Sequence, residues 1–371
     1  MSHRYGIQAA HVDELEIVTG QGNLVTCSKE ENRDLFDCAR GGLGQCGIIT
    51  SVTIPLVKAP TTIRTYRLFY QATDSSLFLE DAKAFVESGQ IDMIHAFLKP
   101  CTEGSIGSIL GSDKFAASSK DFKSLIQTGE SKKSLVYFLE LGSYSWDNLA
   151  VDTEASNAIE DLLSSRNNRF LNGEYFTEEN DFSTYIRKDP PVVETNKEHG
   201  TVPHPSFATL IDENHIQNLL DHHLHSNDRG DDKTNEILIM PVKNTSILST
   251  GHDVPMFPMP KGSELSYFVL FLGSVIPGGG SDQMSSIRSH HRKLHSLSLS
   301  LGGKRYSYDT ITNEVRGETA WKAHIGSEAT WKSLVEAKRR FDPNHILCPG
   351  VHMWKEDEKI ISSKKTRAVV G

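Results

Sequence analysis

The segment GGLGQCGIIT, Gly41 to Thr50, places four glycines within seven residues. Because glycine has no Cβ atom, such a run permits positive φ angles and lets a ligand or a second stretch of backbone approach closely. Two interpretations fit the segment: a tight turn from a helix into a strand, or a loop that lies against a ligand. The glycine pattern alone does not separate them, because short patterns of this kind also arise by chance.

The residues before the glycines predict a hairpin followed by a helix. Residues 14–19 alternate polar with apolar side chains, GQGN forms a turn, and residues 24–27 run back. Ser28 with Glu31 three positions later matches a capping box, which predicts that a helix starts there and continues to Ala39.

The rest of the chain predicts an α+β fold. β-Branched residues at 48–56 predict a strand after the glycines, and the Ala-Pro-Thr-Thr sequence at 59–62 breaks the pattern and predicts a domain border. Further strands are predicted at 63–69, 93–98, 134–141, 237–242 and 265–272, and helices at 75–89, 152–163, 214–225 and 327–340. This succession shows few parallel crossovers, so we expect an antiparallel sheet covered by helices.

Composition excludes several classes of function. The formal net charge is −9, which argues against nucleic acid as a partner, because binding to phosphates requires a basic surface. No run of about 18 apolar residues is present, so no membrane association is expected. Residues 1–6 do not read as a signal peptide, and the five cysteines lack a CxxC pair. We therefore expect reduced thiols and a cytoplasmic location.

Two groups of histidines raise the possibility of a metal site. His222, His223 and His225 occupy one predicted helix, and His291 and His295 lie four residues apart on another. Zinc requires three or four converging ligands, whereas the first three histidines fan around their helix. We expect no metal ion.

The hairpin, helix and glycine loop resemble the FAD-binding domain of PCMH-type FAD-linked oxidases of the vanillyl-alcohol oxidase superfamily. The resemblance is greatest to the cytokinin dehydrogenases, in which a VTGxGxxVTCS…DLF…GGLGQFGIIT pattern occurs. This chain reads VTGQGNLVTCS, then DLF, then GGLGQCGIIT, so Cys46 replaces an aromatic residue.

The C-terminal section carries the same resemblance. The chain reads WKAHIG from Trp321 and FDPNHILCPG from Phe341, where the family shows W..HFG and YDP..ILSPGQ. Cys348 replaces the usual serine, and Val351 replaces a glutamine that contacts the cofactor in the family. The residues that the resemblance implies as cofactor contacts are Gly41, Gly42, Gly44, Gln45, Gly47, Ile48, Ile49, Tyr306, Cys348 and Val351.

The resemblance implies a division of the chain and a reaction. Residues 1–60 and 320–355 would form the C-terminal half of the FAD-binding domain, residues 61–319 a substrate domain, and residues 356–371 a frayed tail. Both ends of the chain would then meet around one face of FAD. The implied reaction is oxidation of a C–H bond next to an amine nitrogen, in an N6-substituted adenine or a similar small molecule.

The resemblance also implies that the chain is truncated at its N-terminus. The family's histidine that bonds covalently to the flavin and its catalytic base belong to a part that would precede Met1, so no catalytic residue is predicted here. Two alternatives remain: an FAD-linked oxidase of sugar acids or alcohols, and a non-catalytic remnant.

Two proline-containing segments leave their roles open. Residues 202–205, Val-Pro-His-Pro, predict a stiff entry into a strand, because proline fixes φ. Residues 254–260 form an apolar loop that either lines a pocket for a flat ring or packs on the edge of the sheet.

Overall fold

The structure is a computed structural model of the 371-residue chain. It describes residues 2–101, 134–146, 153–173, 175–187, 205–226, 236–244, 254–257, 259–260, 262–273, 280–306 and 316–355. The segments at 102–112 and 202–204 and the tail at 356–371, for which the sequence made predictions, lie outside the described residues.

A three-stranded antiparallel sheet contains the predicted hairpin. Strands β1 (Glu14–Thr19) and β2 (Leu24–Ser28) pair directly, which confirms the hairpin. Strand β3 (Gly47–Thr53) pairs with the other edge of β1, with a register shift between Glu16 and Ile17. The order β2-β1-β3 therefore places the glycine segment directly before an edge strand.

The helix before the glycines begins later than the capping box predicts. Helix α1 spans Arg33–Ala39, and Asn32, in the left-handed region, precedes it. The Ser28 hydroxyl accepts hydrogen bonds from the backbone N–H groups of Glu30 and Glu31. Ser28 thus stabilises a turn that leads into the helix, and the prediction that Ser28 caps the helix was wrong.

An eight-stranded antiparallel sheet forms the larger part of the fold. Its strands are β4 (Thr62–Gln71), β5 (Met93–Cys101), β6 (Ser134–Ser145), β7 (Tyr175–Asp181), β8 (Ser206–Asp212), β9 (Glu236–Lys243), β10 (Leu265–Leu272) and β11 (Lys304–Arg305). The order is β11-β8-β10-β9-β5-β6-β4-β7, and every pair described is antiparallel.

Helices cover one face of this sheet. They are α2 (Ser76–Ser88), α3 (Thr153–Ser164), α5 (Ile216–His225) and α6 (Gly280–Ser300), and the short α4 (Phe182–Ile186) follows β7. Side chains such as Phe85, Leu219 and Leu294 pack against alternate strand residues in one apolar core. An α+β fold with an antiparallel sheet covered by helices is confirmed.

The last two helices return to the small sheet. Helices α7 (Gly317–Ile325) and α8 (Glu328–Phe341) follow β11, and the Ser327 hydroxyl caps α8 by accepting from the Thr330 N–H. A second core combines Leu15, Ile17 and Phe36 from the start of the chain with Trp331 and Trp354 from its end. The two ends of the chain therefore share one core, whereas the predicted domain borders stay a prediction.

Among the described residues, none of the helices combines the length and apolar character that crossing a bilayer requires.

Candidate functional site

A disulfide closes the glycine loop. Cys38 in α1 and Cys46 in the loop are bonded, with their Cα atoms 6.4 Å apart, and both side chains are buried. The loop from 38 to 46 is therefore a covalent ring. The expectation that all thiols are reduced was wrong for this pair. The pairing follows from the way in which α1 and the loop fold back on each other, which the cysteine count did not show.

At two positions of the loop, neighbouring protein atoms leave no room for a side chain larger than that of glycine. A Cβ at Gly42 would lie 2.2 Å from the Cys38 carbonyl oxygen, and one at Gly47 would lie 2.1 Å from Ile17 Cγ2. Such distances are far below van der Waals contact, so a side chain at either position would displace the helix end or β1. These two glycines serve the turn from helix to strand.

The other two glycines allow distant segments to approach the loop. Gly44 has φ +71°, and a Cβ there would lie 2.7 Å from Cys348 Sγ. A Cβ at Gly41 would lie 3.0 Å from the carbonyl carbon of Met256. The loop thus touches the C-terminal segment on one side and the 254–257 segment on the other.

Gln45 links the loop to the end of the chain. Its side chain is fully buried, its Oε1 accepts a hydrogen bond from Trp354 Nε1 at 2.8 Å, and its Nε2 donates to the Cys348 carbonyl at 3.3 Å. Its backbone carbonyl accepts a hydrogen bond from Lys338 Nζ at 3.0 Å. The predicted meeting of the chain ends is present, and Gln45 is bonded to protein on all these atoms.

A buried ion pair supports the same junction. Lys338 Nζ lies 2.6 Å from Asp342 Oδ2, and both side chains are almost completely excluded from solvent. Asp342 also accepts hydrogen bonds from the backbone N–H groups of Ile346 and Leu347, and Lys338 donates to the Leu347 carbonyl. Burial of a charged pair is tolerated because nearly every remaining polar atom is bonded. This pair was not predicted, although the i, i+4 spacing of Lys338 and Asp342 at the end of a helix was a usable signal.

A cleft of about 520 Å³ opens between the small sheet and the uncovered face of the large sheet. The apolar side chains of its wall include Leu15, Ile49, Val52, Leu210, Met256 and Phe257. A second cavity of about 490 Å³ shares Gln8 with it. Both volumes lie in the range of small-molecule pockets.

The structure brings three of the predicted site residues together in this cleft. Gly41, Ile49 and Tyr306 all line it. The ring of Tyr306 packs edge-on against Phe268, with ring centroids 5.0 Å apart, and lies 5.9 Å from Phe257. Met256 and Phe257 therefore line the cleft, and Phe257 and Met259 pack on the sheet, whereas a pocket for a flat ring stays a prediction.

The other predicted site residues do not line the cleft. Gly42, Gly44, Gln45 and Gly47 shape or anchor the loop, as described above. Ile48 is 59% exposed and does not share the cleft wall with its neighbour Ile49. Cys348 is an exposed free thiol with φ +46°, and Val351 packs partly buried against the shared core. Cofactor contact by these residues stays a prediction.

The charged residues of the cleft wall are arginines. Arg40 is paired with Asp37 at 2.7 Å and stacks over the ring of Phe36, and Arg305 is 3% exposed. Among the lining residues that the structure describes, none is a carboxylate. Arg305 was not predicted as a site residue, because nothing in the sequence placed it beside the glycine loop.

Of the histidines that suggested a metal site, His223, His291 and His295 are buried in the helical layer, whereas His222 and His225 are exposed. His223 Nδ1 and His290 Nε2 are 3.0 Å apart, and His291 lies beside them in the core. Burial, followed by the charge of His290, lowers the pKa of His291 to about 3. Over the residues that the structure describes, no group of three or more His, Cys, Asp or Glu side chains has a geometry that could hold a metal ion.

A family model described as "Cytokinin dehydrogenase 1, FAD and cytokinin binding" matches residues 60–354. The chain belongs to this family. It is 28% identical over 359 residues to cytokinin dehydrogenase 9 of Oryza sativa subsp. japonica, covering 95% of this chain and 64% of the rice protein. The family description names FAD, so the predicted cofactor and the resemblance to an FAD-linked oxidoreductase are confirmed at the level of the family.

A second relative and a solved structure are also similar to this chain. The chain is 27% identical over 356 residues to an uncharacterized oxidoreductase, ORF5 of the fasciation locus, from Rhodococcoides fascians, covering 95% of this chain and 68% of that protein. A VAO-type flavoprotein from Myceliophthora thermophila superposes with a TM-score of 0.56 over 92% of this chain and 56% of that protein. At 14% identity that likeness shows the fold alone. The chain thus spans about two thirds of the length of these curated relatives.

Proposed function

We propose that this chain binds FAD in the 520 Å³ cleft and acts in the oxidation of a C–H bond next to an amine nitrogen in an N6-substituted adenine. The observation that carries the proposal is the convergence of Gly41, Ile49 and Tyr306, from three separate segments, on one apolar wall. The family membership and the similarity to the rice cytokinin dehydrogenase 9 support the same substrate class.

The residues present are suited to a flat heteroaromatic ring. Ile49, Val52 and Leu210 offer apolar surface, and Tyr306 is held in place by the rings of Phe257 and Phe268. Cofactor pockets have this composition, with few polar groups that orient the ligand.

Each part of the wall has a role in the proposed chemistry. Bound FAD supplies the hydride acceptor, which no protein side chain can replace. The apolar wall excludes water, and the disulfide-closed loop fixes Gly41 against Met256. Because none of the described lining residues is a carboxylate, we assign no general base to the cleft.

Binding of FAD to the purified chain tests the cofactor part of the proposal. Flavin fluorescence is followed as protein is added, for the wild type, Ile49→Asp and Leu24→Asp. Ile49 lines the cleft, whereas Leu24 is an exposed apolar residue of the same sheet outside it. A carboxylate in the cleft should weaken binding by about tenfold or more, because burying it without a partner is costly. Absence of binding to the wild type, or equal loss in both variants, would contradict the proposal.

Turnover tests the substrate. The FAD-loaded protein is incubated with N6-isopentenyladenine and a dye acceptor, and release of adenine is measured. Release of adenine supports amine oxidation. Oxidation of a sugar acid or an alcohol in its place would support the alternative substrate class.

A further inference from the structure

A small cavity lies behind the glycine loop, next to the cleft. Its volume is about 10 Å³, which is room for about one oxygen-sized atom. Its wall includes Gly42 of the loop and Trp321 and His324 of α7. None of the wall residues that the structure describes is Asp, Glu, Lys or Arg, and burial is the largest of the effects that lower the pKa of His324 to about 4. The cavity is therefore suited to a small, uncharged group.

Three residues separate this cavity from the cleft. Gly41, Leu43 and Met256 line both spaces, and we call them the partition. A Cβ at Gly41 would lie 3.0 Å from the carbonyl carbon of Met256, so the loop packs directly on this residue. The Met256 side chain is unbranched and has three rotatable bonds, so it can turn aside for a narrow group. An alkyl chain fits such a passage, whereas a flat ring is too wide.

Trp321 brings an unused hydrogen-bond donor to the wall of the small cavity. The residue is 5% exposed, and its buried Nε1 has no hydrogen-bond partner within the described part of the chain. The indole ring stands perpendicular to the ring of His324, with ring centroids 5.5 Å apart. Buried Trp N–H groups usually have a partner, because a buried donor without one is destabilising. A ligand atom that accepts this N–H would remove that cost.

We propose that the small cavity is a subsite for the end of the substrate's side chain and that it selects a chain ending in a hydroxyl group. The ring of the substrate lies in the cleft, its alkyl chain passes Met256, and its terminal oxygen accepts the N–H of Trp321. A methyl end would leave this donor unpaired, and a carboxylate end would find no cation in the described wall. The inference rests on the proposed function, because it concerns the side chain of the N6-substituted adenine.

Titration calorimetry with two matched series of probes tests the subsite. One series contains N6-alkyladenines with straight chains from propyl to hexyl, and the other carries a hydroxyl group on the last carbon. Each probe is titrated into the chain with FAD and without it. A hydroxyl group that enters an apolar site without a partner weakens binding, so a preference for it reports a hydrogen bond. We expect the hydroxyl probe of the fitting length to bind about fivefold more tightly than its methyl counterpart.

Variants of Trp321 and Met256 test the two parts of the subsite. Trp321→Phe removes the N–H donor but keeps an aromatic ring, so the preference for the hydroxyl probe should disappear. Trp331→Phe is its control, because Trp331 is buried in the same core and does not line the cavity. Met256→Ala widens the passage and should raise the affinity of the longest probes. Val254→Ala should not, because Val254 belongs to the same turn but lines neither space.

The preference for the hydroxyl probe decides the inference. A preference that is lost in Trp321→Phe and kept in Trp331→Phe supports it. Equal affinities of the two series at every length, or a preference that Trp321→Phe retains, overturn it. If Trp321→Phe does not fold, the indole N–H signal of Trp321 in the ¹⁵N-labelled wild type decides. A shift with hydroxyl probes that methyl probes do not cause supports the inference, and equal shifts overturn it.

The failure of the subsite and the failure of the proposed function give different results. Equal binding of both series removes the subsite and leaves N6-substituted adenines as ligands of the cleft. If the chain binds no FAD or no adenine probe, the proposed function fails, and 1-pentanol decides the subsite through the same NMR signal. A shift of the Trp321 signal without one of Trp331 supports the subsite, and an unchanged Trp321 signal overturns it.

Discussion

The two sheets of the molecule are stabilised by different kinds of contact. The small sheet and the C-terminal helices share a small apolar core, and two hydrogen bonds to Gln45, from Trp354 and from the buried Lys338 that pairs with Asp342, also join them. The disulfide at Cys38 closes the glycine loop beside this junction. The large sheet packs against its helices through a continuous apolar core in which most strand residues are buried.

This difference has a consequence for single substitutions. In an extended apolar core, the loss of one polar link leaves most of the contact area in place, because burial is roughly proportional to area. In the small sheet, one side chain often holds segments that are hundreds of residues apart in sequence, as Gln45 holds residues 348 and 354. We therefore expect the largest effects near the glycine loop.

The largest effect is expected for Asp342→Asn. This change keeps the size of the side chain but leaves the Lys338 ammonium buried without its counter-charge. Breaking a buried pair in this way should lower the free energy of unfolding by about 3–5 kcal/mol. Urea denaturation measures the loss.

Arg340→Gln is the matched control for Asp342→Asn. Arg340 lies on the same helix and pairs with Asp34 at 2.8 Å, but its side chain is 60% exposed. Exposed pairs contribute about 0–1 kcal/mol. Equal losses for the two variants would show that the buried pair has no special role at the junction.

The next largest effect is expected from opening the disulfide. Replacing Cys38 and Cys46 by serine removes a short covalent ring, which should lower stability by about 2–3 kcal/mol through the added freedom of the unfolded chain. Thermal unfolding with and without a dithiol reductant measures this. The wild type should lose stability on reduction, and the double variant should not respond.

Cys348→Ser is the control for this comparison, since Cys348 is a free, exposed thiol near the same loop. If the reductant still lowered the stability of the Cys38/Cys46 double variant, its effect would not come from opening the disulfide of the loop.

Much of the fold could be predicted from the sequence. The strands have period-two alternation, as in residues 14–19, and α2 ends at Gly89, whose φ of +69° suits glycine at a helix end. The start of α1 was missed because Ser28 can satisfy backbone N–H groups in a turn as well as at a helix cap. Local hydrogen-bonding potential does not reveal which of these the chain adopts.

The candidate site was less predictable than the fold. The glycine loop and Tyr306 were identified by resemblance, and their common cleft required the meeting of segments far apart in the chain. Arg305 and the Lys338–Asp342 pair were missed because burial decides the importance of a charge, and burial depends on the tertiary fold. Equally, the sequence could not show that Gln45 bonds to Trp354, which leaves its cofactor role a prediction.

A smaller, pH-dependent effect is expected in α6, one of the helices that cover the large sheet. His291 is packed against Phe207, Phe271 and His290, and its pKa is lowered from 6.5 to about 3, by burial first and then by His290. The folded protein therefore binds fewer protons at this site than the unfolded chain. The stability that the neutral His291 contributes is present in full above pH 6.5. It is lost as the pH falls below that value, and the free energy of unfolding is lower by about 2 kcal/mol at pH 5.

Urea denaturation at pH 7 and pH 5 measures this contribution. His291→Gln should reduce the difference between the two pH values, whereas substitution of the exposed His225 should not. An unchanged difference in His291→Gln would mean that other groups cause the acid sensitivity.

The smallest effect is expected for Tyr185→Phe in α4, whose hydroxyl binds to a residue of the large sheet. The Tyr185 hydroxyl donates to Glu140 Oε2 at 3.0 Å, and Arg67 donates to the other oxygen at 2.9 Å. Burial alone raises the pKa of Glu140, but the neighbouring His95, the charge of Arg67 and its hydrogen bond lower it to about 2. The carboxylate thus remains ionised and well bonded without Tyr185, so the loss should be about 1 kcal/mol in urea denaturation.

The ranking of Tyr185→Phe against Asp342→Asn decides whether the contrast between the two sheets holds. If Tyr185→Phe cost as much as Asp342→Asn, the large sheet would depend on individual polar links to the same degree as the small one. A loss several times smaller than that of Asp342→Asn would locate the dependence on single bonds at the junction that carries the glycine loop.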